Sequence, residues 1–256
     1  MPITQFQNRN YNNDVLLGNV PNTVADILFG INKDIDTGSA PEDVWSLGGT
    51  YTGQPVNDIE RIRITSTSAQ DAPGGTGAEG YILFGLKSPS SQFYETEFIP
   101  ANGLSPAVSQ NEWWRINRVL VTTAGSNGGI VGTATIQHDV TIANIFGIIE
   151  PGVNRTQAAV YTVPAGFQMG VNKGIISIGR VNGSPGHATV CGVVRAPGSI
   201  YECVFTYSIT DGGPIPFQFD YLGFVPEGSD IKFTVLDVSD NNTIVSCSMN
   251  FILNKI

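Results

Sequence analysis

The chain has 256 residues, 41% of them hydrophobic and only 14% charged, with 30 Gly, 15 Pro and a net charge of −9. That is enough for one large or two ordinary domains with a real core, and too apolar and too weakly charged for a disordered chain. The 13 Lys and Arg are unclustered and outnumbered by 22 Asp and Glu, which argues against direct nucleic-acid binding, because that needs bases gathered along phosphates.

In the N-terminal stretch 1–9 no basic region leads into an apolar run, so no secretory signal is read there. No apolar run reaches the length of a membrane span, so membrane insertion is not expected. Residues 1–44 read as an arm. Asn8, Asn10, Asn12 and Asn13 make a polar start, and Val24-Ala-Asp-Ile-Leu-Phe29 reads as about two turns of helix capped by Asn22 or Thr23. A helix that short is marginal in water, so the arm is expected to lie on its own body or on a neighbouring subunit. Asp34-Ile-Asp36-Thr-Gly38 begins like a calcium loop but lacks the third ligand position and the distal Glu; a turn rich in Asp is the simpler reading.

Strands begin at Val44. Arg61 to Thr65 alternates, with Ile62 and Ile64 on one face, and a polar loop from Ser66 to Gly77 follows. Two further strands are predicted over 79–86 and 92–99. Trp113 to Val121 carries apolar residues on both faces, as a central strand of a sandwich would, and 130–136 and 141–149 complete the first half. Thr156 to Gly166 alternates until Pro164 and Gly166 stop it. The second half repeats the grammar of strand and turn over 174–178, 188–194, 201–209, 231–235 and 245–253. Phe217, Phe219 and Tyr221 make an aromatic stripe at spacing two. Many short strands between turn signals predict an all-β protein of antiparallel β-sandwich or jelly-roll type. The length suits two sandwich domains in tandem, over 45–150 and 151–256, after the arm at 1–44.

Chemistry is harder to find. The two histidines, His138 and His187, are too few to complete a nucleophilic triad without a clear elbow. The nearest nucleophile motif, Asn182-Gly-Ser-Pro-Gly186, has Asn where an elbow needs Gly and a Pro after the serine, so it reads as a surface turn. No His/Cys set has zinc spacing, and no Gly-rich loop opens a helix. Glu95 and Glu97 fall on one strand face about 7 Å apart; a pair of glycosidase carboxylates is conceivable there, and a solvated face is the plainer reading. Cys191, Cys203 and Cys247 are odd in number and widely spaced, which favours three buried reduced thiols over one disulfide and a spare. No catalytic, cofactor-binding or metal residue is assigned.

Several pieces in a fixed order carry a resemblance. They are Phe29-Gly-Ile-Asn-Lys-Asp-Ile-Asp36 with Val44-Trp-Ser-Leu-Gly-Gly-Thr-Tyr51, then Thr65-Ser-Thr-Ser-Ala-Gln-Asp71 with Gly75-Thr-Gly-Ala78. Arg115-Ile-Asn-Arg118 with Val121-Thr-Thr-Ala-Gly125 and Gly132-Thr133 follows, and Tyr161-Thr-Val-Pro-Ala-Gly166 closes the set. Over residues 25–165 the chain resembles an uncharacterised family of structural proteins of marine tailed phages, including cyanophages. The resemblance implies a non-enzymatic virion component of β-sandwich type and supplies no catalytic residues. From it follow the expectations of a decoration or cement protein on the capsid surface, made in the host cytoplasm, with the major capsid protein and copies of itself, as a homotrimer, for partners. The alternative is a tail or fibre adhesion module holding host surface polysaccharide on Tyr94, Trp113 and Tyr221.

Overall fold

The computed structural model describes residues 11–183, 186–210, 213–218 and 223–256. After a six-residue helix, α1 (Tyr11–Leu16), the chain is built from antiparallel strands in two sandwiches. One of them holds both ends of the described chain and is called the terminal sandwich. Its first sheet has the order β1 (Thr23–Ile35), β17 (Thr243–Lys255), β11 (Phe167–Arg180), β14 (Gly213–Gln218), with β15 (Phe224–Val225) also beside β11. Its second sheet has the order β10 (Val160–Thr162), β16 (Asp230–Val238), β12 (His187–Arg195), β13 (Glu202–Thr210), with β2 (Glu42–Asp43) on β16.

The other sandwich is inserted between β2 and β10. One of its sheets runs β6 (Ala107–Trp113), β3 (Glu60–Ser66), β8 (Ala134–His138), β9 (Ile145–Ile149). The facing sheet runs β5 (Glu95–Pro100), β4 (Ala78–Leu86), β7 (Arg115–Ala124). Each sandwich has its own core. Between the sheets of the terminal sandwich lie Leu28, Met169, Ile176, Val190, Phe217, Phe233, Met249 and Phe251 among others. Between those of the inserted one lie Ile62, Ile64, Tyr81, Leu83, Trp113, Val119, Ile136 and Phe146 among others.

Local pattern explains many of these elements. In β3 the expected alternation holds, with Ile62, Ile64 and Ser66 buried between outward Arg61, Arg63 and Thr65. Phe217 enters the core, where it stacks on Tyr207 at 5.4 Å between ring centroids and touches Phe205 and Phe233. Such pairs add about 1 kcal/mol each beyond the area they bury. Phe219 and Tyr221, the rest of that expected stripe, lie outside the described residues.

Three expectations are corrected. Val24 to Phe29 is strand, not helix, and of the segment 1–44 the described residues 23–35 are a strand of the terminal sandwich: β1 runs the length of β17, from Thr23 opposite Asn254 to Ile35 opposite Thr243. Ladder bonds from a distant partner outweigh the weak helical preference of a short run holding β-branched Val24 and Ile27. The single strand expected over 113–121 is broken at Trp114, and the chain turns there from one sheet of the inserted sandwich to the other. β7 is then an edge strand whose open side is covered by residues 154–156: Val121 N–H donates to Asn154 O, and Val119 N–H to the Thr156 hydroxyl. Finally, Cys191 and Cys203 form a disulfide between adjacent strands β12 and β13, leaving only Cys247 as a buried free thiol. Cys203 is exposed on β13, contrary to the expected burial of all three.

Candidate functional site at the seam between the sandwiches

Two connectors, residues 44–59 and 150–159, carry the chain out to the inserted sandwich and back. They run side by side. Ala159 N–H donates to Val44 O, Ser46 N–H to Gln157 O, and Trp45 bridges Ala158. Gly30 lies under this crossing: a Cβ there would stand 2.1 Å from Ala159 N and 2.6 Å from Val44 O. Trp45, Tyr51, Ala158 and Val160 form a small core of their own around the crossing, with the Trp45 and Tyr51 rings edge to face.

The side chain at the centre of the seam is Asp230, at the start of β16. Arg115, at the start of β7 in the inserted sandwich, grips it with two parallel bonds, Nε to Oδ1 at 2.9 Å and Nη2 to Oδ2 at 3.0 Å. The Thr162 hydroxyl donates to Oδ1 at 2.6 Å, and Arg195 Nη2 donates to Oδ2. The third Arg115 nitrogen bonds Trp114 O, and its guanidinium lies 4.2 Å from the Trp114 ring centroid. A carboxylate has about four lone-pair positions, and here four donors fill them. Asp230 therefore has no free position from which to take a substrate proton; its chemistry is that of a clamp. Beside it, Asp43 accepts from Lys232 Nζ and the Thr234 hydroxyl, each at 2.6 Å. Tyr201 lies against both Arg195 and Lys232 and donates to Gln54 Oε1. Burial pushes the Tyr51 and Tyr201 hydroxyls well above the ordinary phenol range, so both stay protonated.

A cleft of ≈ 660 Å³ opens beside this cluster, lined in part by Trp114, Arg115, Arg195, Pro197, Glu227 and Asp230. Its charged groups are mostly spent on each other. Among the described residues no group of three or more His, Cys, Asp or Glu side chains is placed to hold a metal ion. In the Asp34–Gly38 turn, which begins like a calcium loop, Asp36 Oδ1 accepts the Asn242 N–H, Asp36 N–H donates to the Ser39 hydroxyl and Thr37 N–H to Asn241 Oδ1. No described helix is long and apolar enough to cross a membrane.

The sequence candidates fall apart in space. Trp113 is fully buried in the core of the inserted sandwich, so its ring offers no platform to a sugar. Tyr94 is half-buried at the seam, packed edge to face on Tyr161, with its hydroxyl donating to Thr162 O. Tyr221 lies outside the described residues. Glu95 pairs with Lys87 at 2.6 Å, while Glu97 accepts from the Asn111 side chain and from the backbone of Gln110 and Asn111. His138 is buried against Phe146 and touches Asn144; His187 is exposed and pairs with Asp237 at 2.7 Å. Ser184 lies outside the described residues. The clamp at Asp230 was not found from the sequence. A lone Asp after Gly228-Ser229 and a lone Arg after Trp113-Trp114 carry no mark of partnership across 115 positions.

No protein-family model matches the chain, and no curated protein sequence matches it. Some resemblance of shape exists to solved structures of a virus. A structure of infectious bursal disease virus, Gx strain, is 8% identical over 91% of this chain and 72% of its own, with a TM-score of 0.25. The VP2 subviral particle of infectious bursal disease virus is 10% identical over 97% of this chain and 78% of its own, with a TM-score of 0.23. Likeness at that level does not define a shared fold.

Proposed function

We propose that the protein is a non-enzymatic structural component of a virus particle, placed as a homotrimer on the outer surface of the capsid against the major capsid protein. The observation that carries this reading is the strand order of the terminal sandwich. Its two sheets, β1-β17-β11-β14 facing β10-β16-β12-β13, have the order that two interlocked Greek keys produce in a jelly roll. Jelly rolls serve as viral capsid domains, lectins and cupins. A site between the sheets, as a cupin has, would need polar side chains there; the side chains facing that space here are Phe, Met, Val and Ile. A lectin needs exposed aromatic or polar groups converging on a sugar, and of the aromatic trio Trp113 is buried and Tyr94 is committed to the seam.

The insertion supports the same reading. A second sandwich set between β2 and β10 makes a two-tier subunit. One tier can pack sideways against copies of itself, while the other projects from the lattice. The clamp at Asp230 holds the tiers at a fixed angle, which a repeating shell requires. The motif order, which resembles that of structural proteins of marine tailed phages, is a further ground for this reading.

The test is localisation on purified particles by cryo-electron microscopy with antibody labelling, together with the mass of the protein in solution. Density at symmetric positions on the head and a trimer mass are expected. Label on the tail would shift the assignment to host adhesion, and a strictly monomeric protein absent from particles would overturn the proposal.

A further inference from the structure

Most sheet edges in this protein are closed. Residues 154–156 meet the open side of β7. On β6 the Gln110 and Asn111 N–H groups donate to Glu97, and on β9 the Ile145 N–H donates to the Thr52 hydroxyl. On β10 the carbonyls of Tyr161 and Thr162 accept from Gln54 and Tyr94. β14 pairs with β11 on one side, and Pro214 and Pro216 take away the N–H groups of alternate residues on the other. An edge without donors is a poor template for another strand.

β13 is the contrast. β12 pairs with one side of it, and among the described residues no strand pairs with the other. Its first part is blunted. Glu202 carries a charge, and Val204 is an extra residue, because Gly192 faces Phe205 while Val193 faces Cys203. From Phe205 to Thr210 the ladder is regular, and Phe-Thr-Tyr-Ser-Ile-Thr holds no charge, no Pro and no Gly. Six such residues on an open edge have the composition that pairs readily with another chain. The Cys191–Cys203 disulfide ties the strand to β12, so the edge stays presented.

The segment also fits itself. Ile209 is buried and Phe205 and Tyr207 are half-buried, while Thr206, Ser208 and Thr210 are exposed, so the strand has two distinct faces. Laid antiparallel on its own copy about a two-fold axis at Tyr207, it sets Phe205 opposite Ile209 and Thr206 opposite Ser208. Aromatic with β-branched and hydroxyl with hydroxyl are favourable cross-strand pairs, and no charge meets a like charge. The Tyr207 ring, stacked on Phe217, is then covered by the Tyr207 of the copy.

We propose that β13 pairs edge to edge with β13 of a second copy over Phe205–Thr210, making one continuous sheet from the second sheets of two terminal sandwiches. The pairing does not rest on the capsid reading; where the protein forms trimers, it joins one trimer to the next. The paired stretch is short, so it forms in concentrated protein and opens on dilution.

The experiment uses the full chain and compares hydrogen–deuterium exchange, read by mass spectrometry of peptides, in dilute and concentrated protein. Peptides spanning 205–210 are expected to exchange about tenfold slower in the concentrated sample, with those of β14 unchanged. Thr206→Lys combined with Ser208→Lys sets Lys against Lys on both sides of the axis and should abolish the slowing, with native circular dichroism retained. Equal exchange of 205–210 at both concentrations, or slowing confined to other strands, would overturn the proposal. Slowing that appears only when purified capsid shells are added would mean that a strand of another protein takes this edge, and would overturn it too. The concentration dependence of the unaltered protein decides the matter even if the double variant folds poorly.

Discussion

Taking away the Asp230 carboxylate strands a buried guanidinium. The Arg115 side chain is only 2% exposed and that of Asp230 5%. At 2.9 Å and an effective dielectric near 20, the gross attraction is about 6 kcal/mol, and desolvation of both ions cancels much of it. The cost of Asp230→Ala is therefore governed by what is left behind. Arg115 keeps one bond, to Trp114 O, and loses two; Arg195 keeps Gln54 O and is 14% exposed, so it turns to water cheaply. Loss of one partner of a buried pair puts the expected destabilisation at about 3–5 kcal/mol. Adding Arg115→Met to Asp230→Ala removes the stranded charge, so the double variant should be more stable than Asp230→Ala by about 2 kcal/mol. The assay is urea unfolding followed in parallel by tryptophan fluorescence and far-ultraviolet circular dichroism. Trp113 is in the core of the inserted sandwich and Trp114 at the turn between its sheets, while Trp45 packs at the seam on Val160, so fluorescence reports that tier and the seam while dichroism reports both sandwiches. With the clamp gone, the two curves should separate. A loss below about 1 kcal/mol, with the curves still coincident, would refute the view that Asp230 couples the sandwiches.

Four further outcomes are expected. Gly30→Ala should cost about 3 kcal/mol in the same unfolding assay, because its Cβ would meet connector backbone at 2.1 Å and backbone cannot swing aside. Cys203→Ser, or reductant added to the native protein, should cost about 3 kcal/mol from the chain entropy of the short loop between Cys191 and Cys203. Native protein should show no thiol reactive to Ellman's reagent, since burial raises the Cys247 thiol far above its usual range. The last concerns acid. Burial acts to raise the Asp71 pKa, but the Ser66 hydroxyl and the N–H groups of Val131, Ala78 and Gly132 outweigh it and hold the carboxyl below the ordinary range. A carboxylate depressed in the folded state lends stability that is complete above the unfolded pKa, near 4, and fades as pH falls through the lower folded value. Stability measured by urea midpoints should drop over that acid window, and Asp71→Asn should be about 3 kcal/mol less stable at neutral pH with a shallower acid loss.

The all-β class and many of its strands were legible because alternation is a local property. Ile62 and Ile64 facing in, with Arg61 and Arg63 facing out, need only neighbours two apart. What joins to what was not legible. Thr23 opposite Asn254 and Arg115 on Asp230 are decided by the pairing of strands far apart in sequence, which alternation within one strand does not reveal. The Val24 to Phe29 run shows the consequence: on local preference it suits a helix, and only β17 makes it a strand. The cysteines show another. Cys191 and Cys203 meet because β12 and β13 are neighbours with an irregularity after Gly192, which spacing alone does not disclose. The candidate aromatics misled for a related reason. Trp113 reads equally well as surface or core until the facing sheet is in place.

The pairing of β1 with β17 has a consequence for how the protein is made. The ribosome delivers β1 first, yet its partner lies more than 200 positions later. Between those events every strand of the inserted sandwich, with all its partners, has emerged and can close on its own core. The first strand meanwhile waits with both edges open, and that is the interval in which pairing with the wrong chain is easiest. Folding can thus run from the inside of the topology outward, with the pairing of β1 and β17 closing after the inserted sandwich.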